Sequence, residues 1–380
     1  MNKPYLKGLN SLRFLAAAFV IISHGQQSIT KLGFDRFSDL AIFNRGGDAV
    51  EFFYVLSGFL ITYLLQGELD KTGTISIRGF YARRVFRIWP LYFLIVTIGF
   101  GFLGVVYPKM TGQSFFDFPL WKGLLLFFCF MPNLATSMYT TGLLFPLRTI
   151  GVEEQFYLFW APVIKKFRHR LHLLIATFIL ISCAWYFLLA YGNLPLSETA
   201  RAFLKTQKFY AMAIGAGFGL LQYRFGDRYK LSRLSSAAVQ WLVIGFIVYY
   251  YLVGTGLAFG EGDVFHFFMC GLYGLLILNS NLLDRPVVNL ERRPLVFLGT
   301  ISYGLYMCHM LVDYTLRFTL MRLHIEKAGY FMVIMPLYHI LLMGLAIMLA
   351  SFSYKHYENY FLRLIKNPQS YVYRLKNRYA

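Results

Sequence analysis

Arg13 and His24 stand eleven residues apart in the first apolar stretch of the chain, LNSLRFLAAAFVIISHG. In a helix that spacing is about three turns, ~16 Å of rise, and it leaves both side chains on nearly one face. A charged side chain at mid-bilayer costs about 2.5–3.5 kcal/mol on insertion scales, so it is expected to face a cavity or a partner. One helix face thus carries a cation low and a titratable base high. Glu153 in VEEQFYLFW and His309 in ISYGLYMCH are two further titratable groups inside apolar segments. Counted from the segment ends at 1.5 Å per residue, Glu153 lies ~15 Å deep, His309 ~21 Å and His24 ~22 Å. The three are therefore expected to share one layer, with a neutral imidazole beside a carboxylate acting as general base. Glu154 follows Glu153 directly.

A second set lies in RRVFRIWPLY. Arg84 and Arg87 are three apart and share a face if helical. Guanidinium forks match phosphate oxygens, so the pair suits a polyphosphate; anchoring on lipid headgroups is the competing reading. In FFYVLSGFLIT, Gly58 after Ser57 permits close approach of a helix or a ligand. Cys129, Cys183, Cys270 and Cys308 sit singly in apolar segments with no metal-like spacing, so no metal is expected.

These residues require membrane helices to position them. The chain has 380 residues, of which 57% are hydrophobic and only 14% charged, too few to clothe a soluble core of this length. The expected fold class is all-α, a polytopic membrane helix bundle. Ten apolar segments, 9–27, 47–66, 88–107, 143–164, 171–191, 207–223, 236–254, 264–280, 295–316 and 331–354, are near the ~20 residues that a crossing needs. With both termini cytoplasmic, inner segments hold 25 of the 37 Lys and Arg, the positive-inside bias. The short stretch Trp121 to Leu134 is read as interfacial or re-entrant. The net charge of +19 is read as topology and contact with membrane lipids, not nucleic-acid binding. One membrane domain is expected over 1–380, with its core at about 8–360 and a basic cytoplasmic tail at 361–380. The expected location is the cell (inner or plasma) membrane.

The motifs resemble acyltransferase family 3, multi-pass membrane O-acyltransferases of surface carbohydrates. LNSLRFLAAAFVIISHG, FFYVLSGFLIT, RRVFRIWPLY, VEEQFYLFW, ISYGLYMCH and SYKHYENYFLRL occur in the family's order, over roughly residues 8–360. Two departures stand out. Arg148, Thr149, Ile150 and Gly151 occupy the places where the family often has Trp-Ser-Leu-Ser, and Glu51 stands where Asp is frequent. The resemblance implies transfer of an acyl group, usually acetyl, from cytoplasmic acetyl-CoA to a hydroxyl of an extracytoplasmic or lipid-linked glycan. It implies His24 as base or transient acyl acceptor and Glu153 as the group that orients it. Arg13, Arg84 and Arg87 would bind CoA phosphates. Ser57, Glu51, Glu154, Ser302, Tyr303 and His309 would line the site, with Ser302, Tyr303 and His309 stabilising the oxyanion. The competing class is a proton-coupled transporter or exporter using the same polar residues.

Overall fold

The computed structural model describes residues 6–34, 39–254, 263–283, 286–323 and 331–366. Among them the regular structure is helical, without strands. Eleven long elements carry the architecture: α1 (Leu9–Thr30), α2 (Gly46–Thr72), α3 (Ile77–Gly101), α4 (Leu147–Lys166), α5 (Leu171–Tyr191), α6 (Phe209–Lys230), α7 (Ala237–Leu252), α8 (Asp263–Leu282), α9 (Arg293–Thr300), α10 (Ser302–Arg322) and α11 (Phe331–Ser353). Each of the ten segments expected to cross falls on helix. Five helical stretches are long and apolar enough to cross a membrane, six if α9 and α10 form one bent span. The chain is a helical membrane protein. The helices α1 and α4 are not among the five, because they carry Arg13, His24, Arg148, Glu153 and Glu154. Residues 367–380 of the expected tail lie outside the described residues.

The bundle departs from the sequence expectation in two places that matter for the site. The segment 295–316 is not one straight span: α9 and α10 meet at a 68° bend at Ile301. Gly299 lies so close to the Asn10 carbonyl of α1 that a Cβ there would come within 2.0 Å of the oxygen. Ser302 thus opens a new helix inside the bundle. The third helix begins at Ile77, eleven residues before the expected span, so Arg84 and Arg87 are helical and share a face.

Trp121 to Leu134 forms two short helices, Leu120–Phe128 and Pro132–Met138, joined through Phe130 in the left-handed region (φ 55°). Nine residues rise only ~14 Å, too little to cross a bilayer. Apolar side chains point outward on α5 and α11, among them Leu180, Ile181, Ile340 and Met348, as lipid-facing helices require.

Small residues set the tightest contact, between α2 and α6. A Cβ on Gly58 would sit 1.9 Å from the Met212 carbonyl oxygen, and one on Gly215 would sit 1.9 Å from that of Val55. Gly215 and Gly219 form the small-xxx-small stripe by which membrane helices approach backbone to backbone. Gly58 therefore serves helix packing, not a ligand.

Candidate active site

His24 on α1 and His309 on α10 meet in the bundle. Nδ1 of His24 lies 2.8 Å from Nε2 of His309, and the ring planes differ by 9°. His309 is fully buried, whereas His24 is half-buried. Nδ1 of His309 lies 2.5 Å from the backbone carbonyl oxygen of Tyr306. A carbonyl only accepts, so with both rings neutral this Nδ1 carries the hydrogen and Nε2 of His309 is an acceptor. Nδ1 of His24 must then be the donor, which leaves the lone pair of His24 on Nε2. The relay presents one imidazole nitrogen as a base and fixes which nitrogen it is.

Glu153 is elsewhere. Its carboxylate accepts a hydrogen bond from Ser57 Oγ at 2.6 Å, and among the described residues it makes no hydrogen bond to His24. Helix register gives the reason. α1 and α2 run antiparallel with Gly46 against Ser23. Ser57 is eleven residues further along α2, about 16 Å away at 1.5 Å per residue. That is the level of Arg13, and Arg13 and Arg84 both lie within electrostatic range of Glu153. The single layer expected for His24, Glu153 and His309 is two layers, and His309 occupies the place expected for Glu153.

Buried polar groups connect the two. Tyr306 donates to the Pro146 carbonyl (3.1 Å) or Thr149 Oγ1 (3.0 Å). Tyr54 is hydrogen-bonded to Thr149 and lies within electrostatic range of Tyr306 and Glu153. Tyr157 is hydrogen-bonded in the Ser57–Glu153 pair.

At the lower end Arg13, Arg84 and Arg87 converge from α1 and α3, each within electrostatic range of the others. The Arg84 guanidinium lies 4.4 Å over the Tyr157 ring. Glu153, Glu154 and Glu358 are carboxylates within electrostatic range of this cluster. Among the described residues, however, none of the three arginines makes an ion pair. Arg13 and Arg84 are half-buried and Arg87 is exposed, so the forks are open to a polyanion.

Other expected site residues fall outside the histidine layer. Tyr303 donates to the Ile88 carbonyl (2.7 Å), so its hydroxyl hydrogen is committed one residue from Arg87. Ser302 is buried one residue before it, about 10 Å below His309 along α10. Neither is placed to stabilise an oxyanion at His24. Glu154 accepts from Trp89 Nε1 (3.2 Å), tying α4 to α3. Glu51 belongs to a separate cluster: it pairs with Lys208 and accepts from Tyr210 (3.1 Å) and His266 (3.2 Å). Asp48 lies 3.8 Å from the same imidazole and accepts from Tyr250 (2.9 Å). Asp48, Glu51 and His266 have metal-ligand types, but Lys208 and Arg45 already supply the counter-charge. Tyr54, Tyr306 and Glu358 are not among the residues expected in the site, and Thr149 is marked in the sequence only by its departure from the family pattern. Of these only Tyr306, three residues before His309, carried a spacing signal.

A family model described as an acyltransferase domain matches residues 6–356. The chain is 24% identical over 332 residues to the peptidoglycan O-acetyltransferase OatA of Listeria monocytogenes, covering 81% of this chain and 49% of that protein. It is 23% identical to the O-acetyltransferase OatA of Staphylococcus aureus (80% and 50% covered). It is 25% identical to the putative peptidoglycan O-acetyltransferase YrhL of Bacillus subtilis (80% and 48%). The chain spans about half the length of the curated relatives it matches. No solved structure matches it. Because the matched region takes in both histidines, the three arginines and the Ser57–Glu153 pair, the chain belongs to acyltransferase family 3.

Proposed function

We propose that the chain is a plasma-membrane O-acyltransferase that carries an acetyl group from cytoplasmic acetyl-CoA to a hydroxyl of a glycan on the other side. The observation that carries this reading is the relay from Tyr306 O through His309 to His24, which leaves Nε2 of His24 as a defined base above an open arginine cluster.

The arginines suit the phosphates of CoA: three forks, without ion pairs among the described residues, at the end of the bundle taken as cytoplasmic. From there the thin pantetheine arm has ~16 Å of helix rise to cover between the levels of Arg13 and His24. Glu153, held by Ser57, stands at the boundary and orients Arg13 and Arg84. His24 Nε2 accepts the proton of the acceptor hydroxyl as its oxygen attacks the thioester carbonyl. The C–S bond then breaks, and His24 returns the proton to the departing thiolate. His309 holds the ring through Nδ1 and so keeps the lone pair directed at the acceptor. A solute carrier of the broken-helix type uses paired discontinuous helices; among the described residues one such bend occurs.

The test is purified protein in lipid nanodiscs with labelled acetyl-CoA and a glycan acceptor. Free CoA and labelled glycan are expected in equal amounts, with both lost in His24→Ala at unchanged folding. Glycan labelling that survives His24→Ala refutes the base assignment. No CoA release from wild type with any acceptor refutes acyl transfer.

A further inference from the structure

Arg148 is the one charged residue in the stretch that departs from the usual family pattern, and the structure sets it beside the base. It is the second residue of α4, half-buried. Its guanidinium carbon lies 4.0 Å over the Phe145 ring, and that ring stands edge-on to His24 at 6.4 Å between centroids. One aromatic ring thus separates Arg148 from the reacting imidazole. Arg148 is five residues before Glu153, about 7.5 Å nearer the upper end of the bundle. It therefore stands between the levels of Glu153 and His24, in the first turn of α4, at the end of that helix away from the arginine cluster.

Among the described residues Arg148 makes no ion pair. The charges around it are mostly of the same sign. Lys31 closes α1, seven residues beyond His24 and on the same face. Arg317 lies 4.4 Å over the Tyr314 ring, and Tyr314 abuts Gly142 in the turn leading to α4. Asp313, four residues beyond His309 on α10, is engaged by Ser28 (2.5 Å) and Tyr338 (2.8 Å). A half-buried guanidinium held over an aromatic ring near the base, without an ion pair among the described residues, suits a planar or tetrahedral anion.

We propose that Arg148 binds an anionic group of the acceptor, so that the sugar acetylated is an acidic saccharide bearing a carboxylate or a phosphodiester next to the reacting hydroxyl. This rests on the acyl-transfer reading above. The carboxylate or phosphate docks on Arg148, and the neighbouring hydroxyl falls to His24 Nε2. A neutral sugar leaves the guanidinium facing water.

The experiment separates binding from transfer. Binding of an oligogalacturonate, its methyl ester and a phosphodiester-linked oligosaccharide is measured on the full chain in uncharged detergent, and acetyl transfer is measured on the same three. Expected is binding of one or both acidic probes at least about tenfold tighter than the ester, lost in Arg148→Gln and partly kept in Arg148→Lys. The two acidic probes distinguish carboxylate from phosphate. Equal binding of acid and ester by wild type overturns the proposal and needs no variant. Displacement of both acidic probes by phosphatidylglycerol added at a low molar ratio makes a lipid headgroup the occupant, and also overturns it. Charge-selective binding through Arg148 without acetyl transfer to any probe upholds the anion subsite and counts against the acyltransferase reading.

Discussion

The hydrogen shared by His24 Nδ1 and His309 Nε2 belongs to His24, because His309 has already given its own Nδ1 hydrogen to the Tyr306 carbonyl. The reactive nitrogen of His24 is therefore chosen by a backbone oxygen two bonds away in the relay. A group that sets a tautomer matters most when the reaction depends on which nitrogen is free.

His309→Leu should leave the bundle folded and cost most of the general-base contribution, which is typically about 10²–10⁴-fold in rate. His309→Gln, whose amide oxygen can accept from Nδ1–H, should recover part of it. The measurement specific to a positioning role is the ¹⁵N spectrum of labelled His24: the Nδ1–H tautomer in wild type, a mixture in His309→Leu. A wild-type spectrum showing Nε2–H would overturn the relay.

Arg84→Ala with Arg87→Ala removes two of the three converging forks. The KM for acetyl-CoA should rise by about tenfold or more, since a hydrogen bond to a charged group is worth about 1.5–3 kcal/mol. Turnover at saturating donor should fall much less, because the arginines act at the end opposite the base. The same variant should lose affinity for 3′-phosphoadenosine 5′-phosphate, a probe without a thioester. An unchanged donor KM returns the cluster to lipid anchoring.

Much of this was legible in the sequence. Segment positions came from apolar runs of spanning length, and all ten fall on helix. The Arg13–His24 spacing gave a real helix face, because one unbroken helix carries both residues. What failed was depth between helices. Counting from span ends puts Glu153 beside His24, whereas α4 begins at Leu147, four residues after the start of the apolar segment. The bend at Ile301 was illegible for a related reason: no proline marks it, and it depends on Gly299 meeting the Asn10 backbone, a contact 289 residues apart in sequence. Glu51, expected to line the site with Ser57, lies in a separate cluster because sharing α2 does not say which neighbour a face meets: Glu51 meets α6 and α8, whereas Ser57 meets α4.

Glu153→Gln keeps the shape of the Ser57 contact and removes a charge near Arg13 and Arg84. Because Glu153 does not touch His24, the His24 tautomer spectrum should stay as in wild type, in contrast to His309→Leu. The effect should appear in acetyl-CoA binding. A changed His24 spectrum in Glu153→Gln would restore the carboxylate to the role first expected for it.

Gly58→Leu tests the packing that holds Ser57 in place. A Cβ at this position meets the Met212 carbonyl at 1.9 Å, well inside contact distance, and the obstacle is backbone, which cannot rotate away. Overpacking usually costs about 1–3 kcal/mol. Here it must separate α2 from α6 along the Gly215–Gly219 stripe, so the cost should reach or exceed the top of that range. A thermal-unfolding assay in detergent should show a lowered midpoint. Gly67→Leu is the control, since a Cβ there meets only the tip of Tyr223 at 3.5 Å and should be tolerated. Equal midpoints for the two variants would mean that α2 and α6 are not in the close contact described.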